Sequence, residues 1–269
     1  MTPDNPFSPE KLAALRAEIK THGLTIDKFL KDDADVATLG INLACAWPFP
    51  ESLRDEYERM ARRFAALGPW LYVYPFEFTH MTLATFISFA KHVRPAPELV
   101  KKLEAKTGKI LEVISPLFSE APSPPPSLPM GERVAEGRVR GAFILQPQAP
   151  VLTRAAAILP MLNPGGEVQR LRQCVSELLQ RNAPLHQELV ELGLSVPGII
   201  HSTVMRFIQP PPDLNQFLAA FDEIAADTKF PAISVDELLL TSETKPYMRD
   251  GKALHKFKLG NSLNPRACG

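Results

Sequence analysis

Two stretches decide how this chain is read: FEFTHMTLATFI at residues 76–87 and PGIIHSTVMRFI at residues 197–208. Each carries a histidine with a threonine two places on, His80-Met81-Thr82-Leu83 and His201-Ser202-Thr203-Val204, among apolar and β-branched residues of strand character. Phe86 and Phe207 fall at equivalent places after the two histidines. Strand side chains alternate, so His and Thr two apart share a face, about 6.5–7 Å apart along the strand. A histidine exchanges a proton near neutral pH, and a threonine hydroxyl donates to an anionic oxygen. One such pair is commonly a hydrogen-bonded structural pair. Two pairs facing each other place an acid and a base on opposite sides of one tetrahedral group, with donors for its charged oxygens. In-line displacement at a phosphodiester needs that arrangement.

The pattern around the motifs repeats. An apolar strand at 38–46 ends before Pro48. Leu53, Tyr57, Met60, Phe64 and Leu67 then mark one face of a helix, which Gly68-Pro69 stops. Residues 70–86 read as extended, broken by Pro75. Leu99, Leu103, Ile110 and Ile114 define a second helix, with Pro97 near its first turn. A strand is expected at 140–146 after the connection APSPPPSLP at 121–129. The order then begins again. Residues 151–159 form a strand or, given their alanines, a helix. A helix on Leu171, Val175 and Leu178 precedes the strand at 199–208. A helix on Leu214, Phe217, Phe221 and Ile224 follows, capped by Asp213, and strands at 233–241 and 254–259 close the chain. Strand, helix, strand, helix, strand occurs twice, which points to two similar lobes about a pseudo-twofold axis. The expected division is an accessory helical segment at 1–37, a bilobal domain at 38–260 and a tail at 261–269. Its lobes are 38–120 with 233–260, and 132–232, joined by 121–130.

Composition narrows the function classes. The chain has 269 residues, 45 % apolar and 22 % charged, enough to bury a sizeable core. Thirty basic residues balance thirty acidic ones, which argues against coating nucleic acid by long-range attraction. No run approaches the roughly 20 apolar residues that span a bilayer, and the N-terminal stretch has no secretory apolar core. Cys45, Cys174 and Cys268 are too few for a disulfide scaffold and lie in no zinc pattern, so a reducing, cytoplasmic setting is expected. There is no GxSxG elbow, no GxxxxGK[ST] loop and no HExxH helix.

The paired H-x-T-x motifs, HMTL at 80–83 and HSTV at 201–204, resemble the signature of the two-histidine (2H) phosphoesterases. This superfamily includes the bacterial 2'-5' RNA ligases, also called RNA 2',3'-cyclic phosphodiesterases. The closing stretch VDELLLTSETKPYMRDGKALHKFKL at 235–259 is similar to the hairpin that ends their domain. The resemblance spans roughly residues 38–260. It implies an α+β, bilobal fold with antiparallel sheets around a central groove and helices outside. It implies His80 and His201 as the acid–base pair and Thr82 and Thr203 as the phosphate-oxygen donors, without metal or other cofactor. The implied reaction is hydrolysis of a 2',3'-cyclic phosphate, at an RNA 3' end or on a small cyclic nucleotide, to a 2'-phosphate, or the related transfer at a 2'-5' linkage. A monomer without membrane partners is expected, and DNA ends, which lack the 2' oxygen needed for the cyclic ester, should be inert. A non-catalytic nucleotide-binding module and a 3'-end trimming phosphodiesterase are the alternatives within the same fold. The Pro-rich insert and the 182–198 segment are extra, and are expected to alter substrate-facing loops.

Other residues join the site with less support. Tyr247 borders the groove in the family and is read either as a contact to phosphate or base, or as a turn residue packing on its own hairpin. Trp70, Tyr72, Tyr74, Phe76 and Phe78 alternate on the His80 side if extended, as core or as a stacking platform, with Tyr74 the chosen candidate. Arg206 binds a terminal phosphate or forms an ion pair; its parity, opposite to His201 and Thr203, favours the ion pair. Arg138 and Arg140 meet an RNA backbone or end a solvated strand. His22, His92, His186 and His255 lack a threonine partner and are read as surface residues.

Overall fold

A computed structural model of the chain describes residues 7–32, 35–118 and 142–259. The connection at 121–130, Arg138, Arg140, Cys268 and the tail at 261–269 lie outside the described residues.

The helices form where apolar spacing and caps agree. Helix α1 (Pro9–His22) starts with Pro9 at its first position, and the Ser8 hydroxyl accepts from the Lys11 amide at 3.4 Å. A short α2 (Lys28–Asp32) follows, then β1 (Gly40–Cys45) and α3 (Arg54–Ala65). Tyr57, Met60 and Phe64 are buried along α3, as the spacing predicts. The expected extended run divides at Pro75 into β2 (Leu71–Val73) and β3 (Met81–Ile87), with a 3-10 turn at Phe76–Phe78 between them. Helix α4 (Pro97–Ile114) completes the first half.

The second half holds β4 (Phe143–Pro147), β5 (Val151–Leu152), β6 (Ala156–Leu162), α5 (Glu167–Arg181) and α6 (Ala183–Glu191). The 151–159 stretch is therefore extended rather than helical. A tight turn splits it, closed by the Thr153 amide donating to the Ala156 carbonyl at 2.9 Å. Helix α6 occupies the first part of the extra 182–198 segment: Asn182 caps it, Pro184 starts it, and Leu185 and Leu189 are buried four residues apart. Then come β7 (His201–Phe207), α7 (Leu214–Asp227), β8 (Ile233–Val235), β9 (Glu237–Glu243) and β10 (Lys252–Lys258). Asp213 caps α7 by accepting from the Gln216 amide at 3.0 Å.

The architecture is α+β, with antiparallel sheets and helices outside. One sheet has the order β10-β9-β1-β3, and the other β2-β7-β6-β4-β8 with β5 on β6. Sheet membership departs from the expected lobes. β2, from the first half, pairs with β7, and β8 separates from β9 to pair with β4. The helices cross as well. α3 packs against β2 and α7 beside the second sheet, while α5 packs against β3 and α4 on the first. The Phe64 and Phe221 rings stack with centroids 5.3 Å apart across the α3–α7 contact. Each such buried side chain contributes about 1.5–3 kcal/mol of transfer free energy. The two halves are thereby interlocked around one continuous buried cluster, which fixes β3 and β7 next to each other.

Candidate active site

Strands β3 and β7 carry the two motifs into one cavity of about 220 Å³. Its wall includes His80, Thr82 and Thr85 from the first motif region and His201, Thr203 and Arg206 from the second. Strict alternation would turn position five after each histidine away. Both strands carry a bulge that prevents this. On β3, Ala44 of β1 pairs with Thr82 and Leu43 with Ala84, so Leu83 has no cross-strand partner. On β7, Ile158 pairs with Thr203 and Ala157 with Met205, so Val204 has none on β6. The extra residue reverses parity and returns Thr85 and Arg206 to the face of the histidines. This corrects the parity argument about Arg206. The apolar doublets Leu83-Ala84 and Val204-Met205, both fully buried, are the signal that alternation fails there.

The two imidazoles are held alike. His80 Nδ1 lies 2.8 Å from the Phe78 carbonyl, and His201 Nδ1 lies 3.3 Å from the Ile199 carbonyl, each two residues back. A carbonyl only accepts, so Nδ1 carries the proton in both rings and Nε2 is the atom left for chemistry. Burial holds the His80 imidazole below the usual histidine range; the Phe78 carbonyl opposes this and the His201 charge adds to it. Burial also lowers His201, opposed by the Ile199 carbonyl and reinforced by the Arg172 and Arg206 guanidiniums. Both rings are therefore neutral at neutral pH. An anion between them favours protonation of one.

Arg206, Tyr74 and Tyr247 form one cluster on the wall, and its anchor is a residue the sequence reading missed. Arg206 Nε donates to the Tyr74 hydroxyl at 3.1 Å, and its guanidinium covers the Tyr247 ring at 4.3 Å. Asp27 Oδ2 pairs with Arg206 Nη1 at 3.3 Å and accepts from the Tyr247 hydroxyl. Asp27 Oδ1 accepts from the Phe29 and Leu30 amides at 3.0 Å, capping α2. The Asp27 amide donates to the Phe207 carbonyl at 2.7 Å, which ties the segment to the end of β7. Asp27, 8 % exposed, is thus built into the back of the site. Arg206 both lines the cavity and makes the expected ion pair. Tyr247 holds a left-handed backbone (φ 64°) and Met248 follows it (φ 60°), a strained corner of the kind found at functional sites.

The rest of the aromatic stripe disperses. Trp70 packs edge-on against Phe217, Phe76 against Tyr57, and Tyr74 is 3 % exposed, so no continuous stacking face forms. Phe78 remains on the cavity wall. His22 and His255 are exposed, His92 and His186 half-buried, and none lines the cavity.

At the other side of the cavity Glu243 is buried, its Oε1 accepting from Asn42 Nδ2 at 3.0 Å and Oε2 from the Met248 amide at 2.7 Å. The Thr85 hydroxyl donates to Asn42 Oδ1 at 2.8 Å, which links this carboxyl to β3. Burial raises Glu243 to about 7, with the Met248 and Asn42 donors opposing. Gly40 is required beside it, because a Cβ there would lie 2.6 Å from Glu243 Oε1. Ser195, in the 182–198 segment, also lines the cavity and exchanges backbone hydrogen bonds with Thr85 at 2.8 and 2.9 Å. Among the described residues no group of three His, Cys, Asp or Glu side chains is placed to hold a metal ion. No helix there is long and apolar enough to cross a membrane. A larger groove of about 370 Å³ between α1 and α7 is mostly apolar, and its two charged residues, Arg16 and Asp222, pair with each other.

No family model matches the sequence, and no curated protein matches it. Solved structures do. ATU0111 of Agrobacterium tumefaciens, a conserved protein of unknown function, is 15 % identical with a TM-score of 0.54, covering 94 % of this chain and 100 % of that one. The two chains share a fold. TT0787 of Thermus thermophilus is similar at 17 % identity and TM-score 0.46, over 82 % of this chain and 97 % of its own. LigT of E. coli is similar at 13 % identity and TM-score 0.43, over 83 % of this chain and 99 % of its own.

Proposed function

We propose that the protein is a two-histidine phosphodiesterase that opens 2',3'-cyclic phosphates at RNA 3' ends or on small nucleotides. The observation that carries this reading is the duplicate set of His, Thr and a polar residue at position five, delivered to one cavity by two strands that each bulge just after the threonine. The Thr82 and Thr203 hydroxyls donate to the non-bridging oxygens. One imidazole Nε2 takes a proton from water as its oxygen bonds to phosphorus. The other imidazole, protonated, gives its proton to the 3' oxygen as the P–O3' bond breaks. The product is a 2'-phosphate with a free 3' hydroxyl, and one proton has moved from one ring to the other. Arg206 contributes positive charge toward the phosphate, held in place by Asp27.

The test is product analysis on a 2',3'-cyclic dinucleotide in the presence of EDTA. A 2'-phosphate is expected, with His80→Ala and His201→Ala each reducing turnover by about a hundredfold or more. Tight mononucleotide binding with no turnover across cyclic and linear phosphodiesters would instead show a binding module. Full activity in either histidine variant would defeat the assignment.

A further inference from the structure

Arg172 lies on α5 and is 6 % exposed. It does not line the cavity. Its Nε donates to the Leu83 carbonyl at 3.2 Å, and its Nη2 to the Thr82 carbonyl at 2.9 Å and the Ile199 carbonyl at 3.2 Å. Two of these acceptors belong to the first motif, and the third lies two residues before the second motif's histidine. Leu83 is the residue that the β3 bulge leaves without a cross-strand partner. The Ile199 carbonyl is the one that also receives the His201 Nδ1 proton. Buried guanidiniums normally face a carboxylate. Among the described residues none pairs with Arg172, and burial keeps the nearby Cys45 thiol protonated, so it supplies no counter-charge. Burial lowers Arg172 to about 10, which leaves it charged at neutral pH.

We propose that Arg172 is a positioning residue of the acid–base pair: it clamps the two motif strands together from beneath the cavity and lays a fixed positive charge against His201. The arrangement is asymmetric, since among the described residues the Phe78 carbonyl that orients His80 receives no guanidinium. His201 meets the His80 ring across the cavity, Arg206 from its own strand and Arg172 from α5. Glu243 stands on the wall from β9, while the Arg206 charge is matched by Asp27 and flanked by Tyr74 and Tyr247. Of these two guanidiniums, Arg172 is the one without a carboxylate partner among the described residues. A cation sharing the carbonyl that His201 uses makes that carbonyl a poorer acceptor for an imidazolium and opposes the ring's charge directly. Arg172 thereby biases the two rings apart, leaving His201 the readier to stay neutral.

The effect on turnover rests on the phosphodiesterase reading; the effect on His201 does not. The test uses Arg172→Gln and Arg172→Lys in the full chain. The histidine ring signals of the ligand-free protein are titrated by NMR, with kcat, KM and Tm measured alongside. In Arg172→Gln, His201 should titrate at higher pH than in the parent, with His80 moving less. In Arg172→Lys, which keeps the charge but not the three-carbonyl fork, His201 should remain low. In both, kcat should fall by about a hundredfold as the strands lose their fixed separation, with KM changing little. An unmoved His201 titration in Arg172→Gln, whatever its Tm, would overturn the proposal. If Arg172→Gln does not fold, Arg172→Lys decides alone: a low His201 titration with reduced kcat upholds the clamp, and a parental kcat overturns it. A parent protein inactive on every cyclic phosphate would remove the proposed function while the His201 titration still reports on Arg172.

Discussion

Replacing Glu243 with glutamine should change how stability depends on pH. The carboxyl is 3 % exposed and titrates at about 7 in the folded protein, against 4.5 in an open chain. The gap of about 2.5 pH units corresponds to about 3 kcal/mol. The sign follows from the raised value. Below about pH 4.5 the group is protonated folded and unfolded, and its contribution is fully present. As pH rises toward 7 the unfolded chain releases the proton and the folded one does not, so stability falls; above 7 the loss is constant. Glutamine has no proton to release. It can keep the hydrogen-bond chain if the Asn42 amide turns over, donating to the Thr85 hydroxyl and accepting from the new amide, while its oxygen accepts from Met248. Urea unfolding of both proteins at pH 5 and pH 8 measures the effect. The glutamine variant should gain roughly 2–3 kcal/mol on the parent between the two pH values. An unchanged difference between variant and parent across that interval would refute the reasoning.

Asp27→Asn removes the charge that holds Arg206 while keeping an acceptor for the α2 amides. It should raise KM for a cyclic phosphate by about tenfold with a smaller change in kcat, read from steady-state kinetics. The pH profile of kcat/KM should be a bell displaced to the acid side of 6.5, because burial disfavours the imidazolium at both His80 and His201; a bell centred above that value would contradict it. Asp213→Ala removes the α7 cap and should cost about 1 kcal/mol in denaturant unfolding with activity intact, since the cap is remote from the cavity.

Much of the framework was legible because it depends on local spacing. The face of Tyr57, Met60 and Phe64, the Asp213 cap, the break at Pro75 and the two H-x-T motifs each arise within a few residues. Asn182, Pro184, Leu185 and Leu189 carried the same kind of signal for α6, which the Gly and Pro residues after it obscured. Sheet membership was not legible. A three-residue strand such as β2 or β8 has too few positions to name its partner.

The sequence by itself determined that two histidine–threonine pairs lie on strands in a repeated order of elements, because side-chain alternation is a property of the strand alone. Only the tertiary structure decided what meets them. The bulges that turn Thr85 and Arg206 inward depend on the register against β1 and β6. Asp27 reaches Arg206 from 179 residues away in the chain, and Arg172 reaches the first motif from α5. A carboxylate or guanidinium carries no sequence mark of its distant partner. Its role appears when folding removes it from water and leaves it one place to find a hydrogen bond.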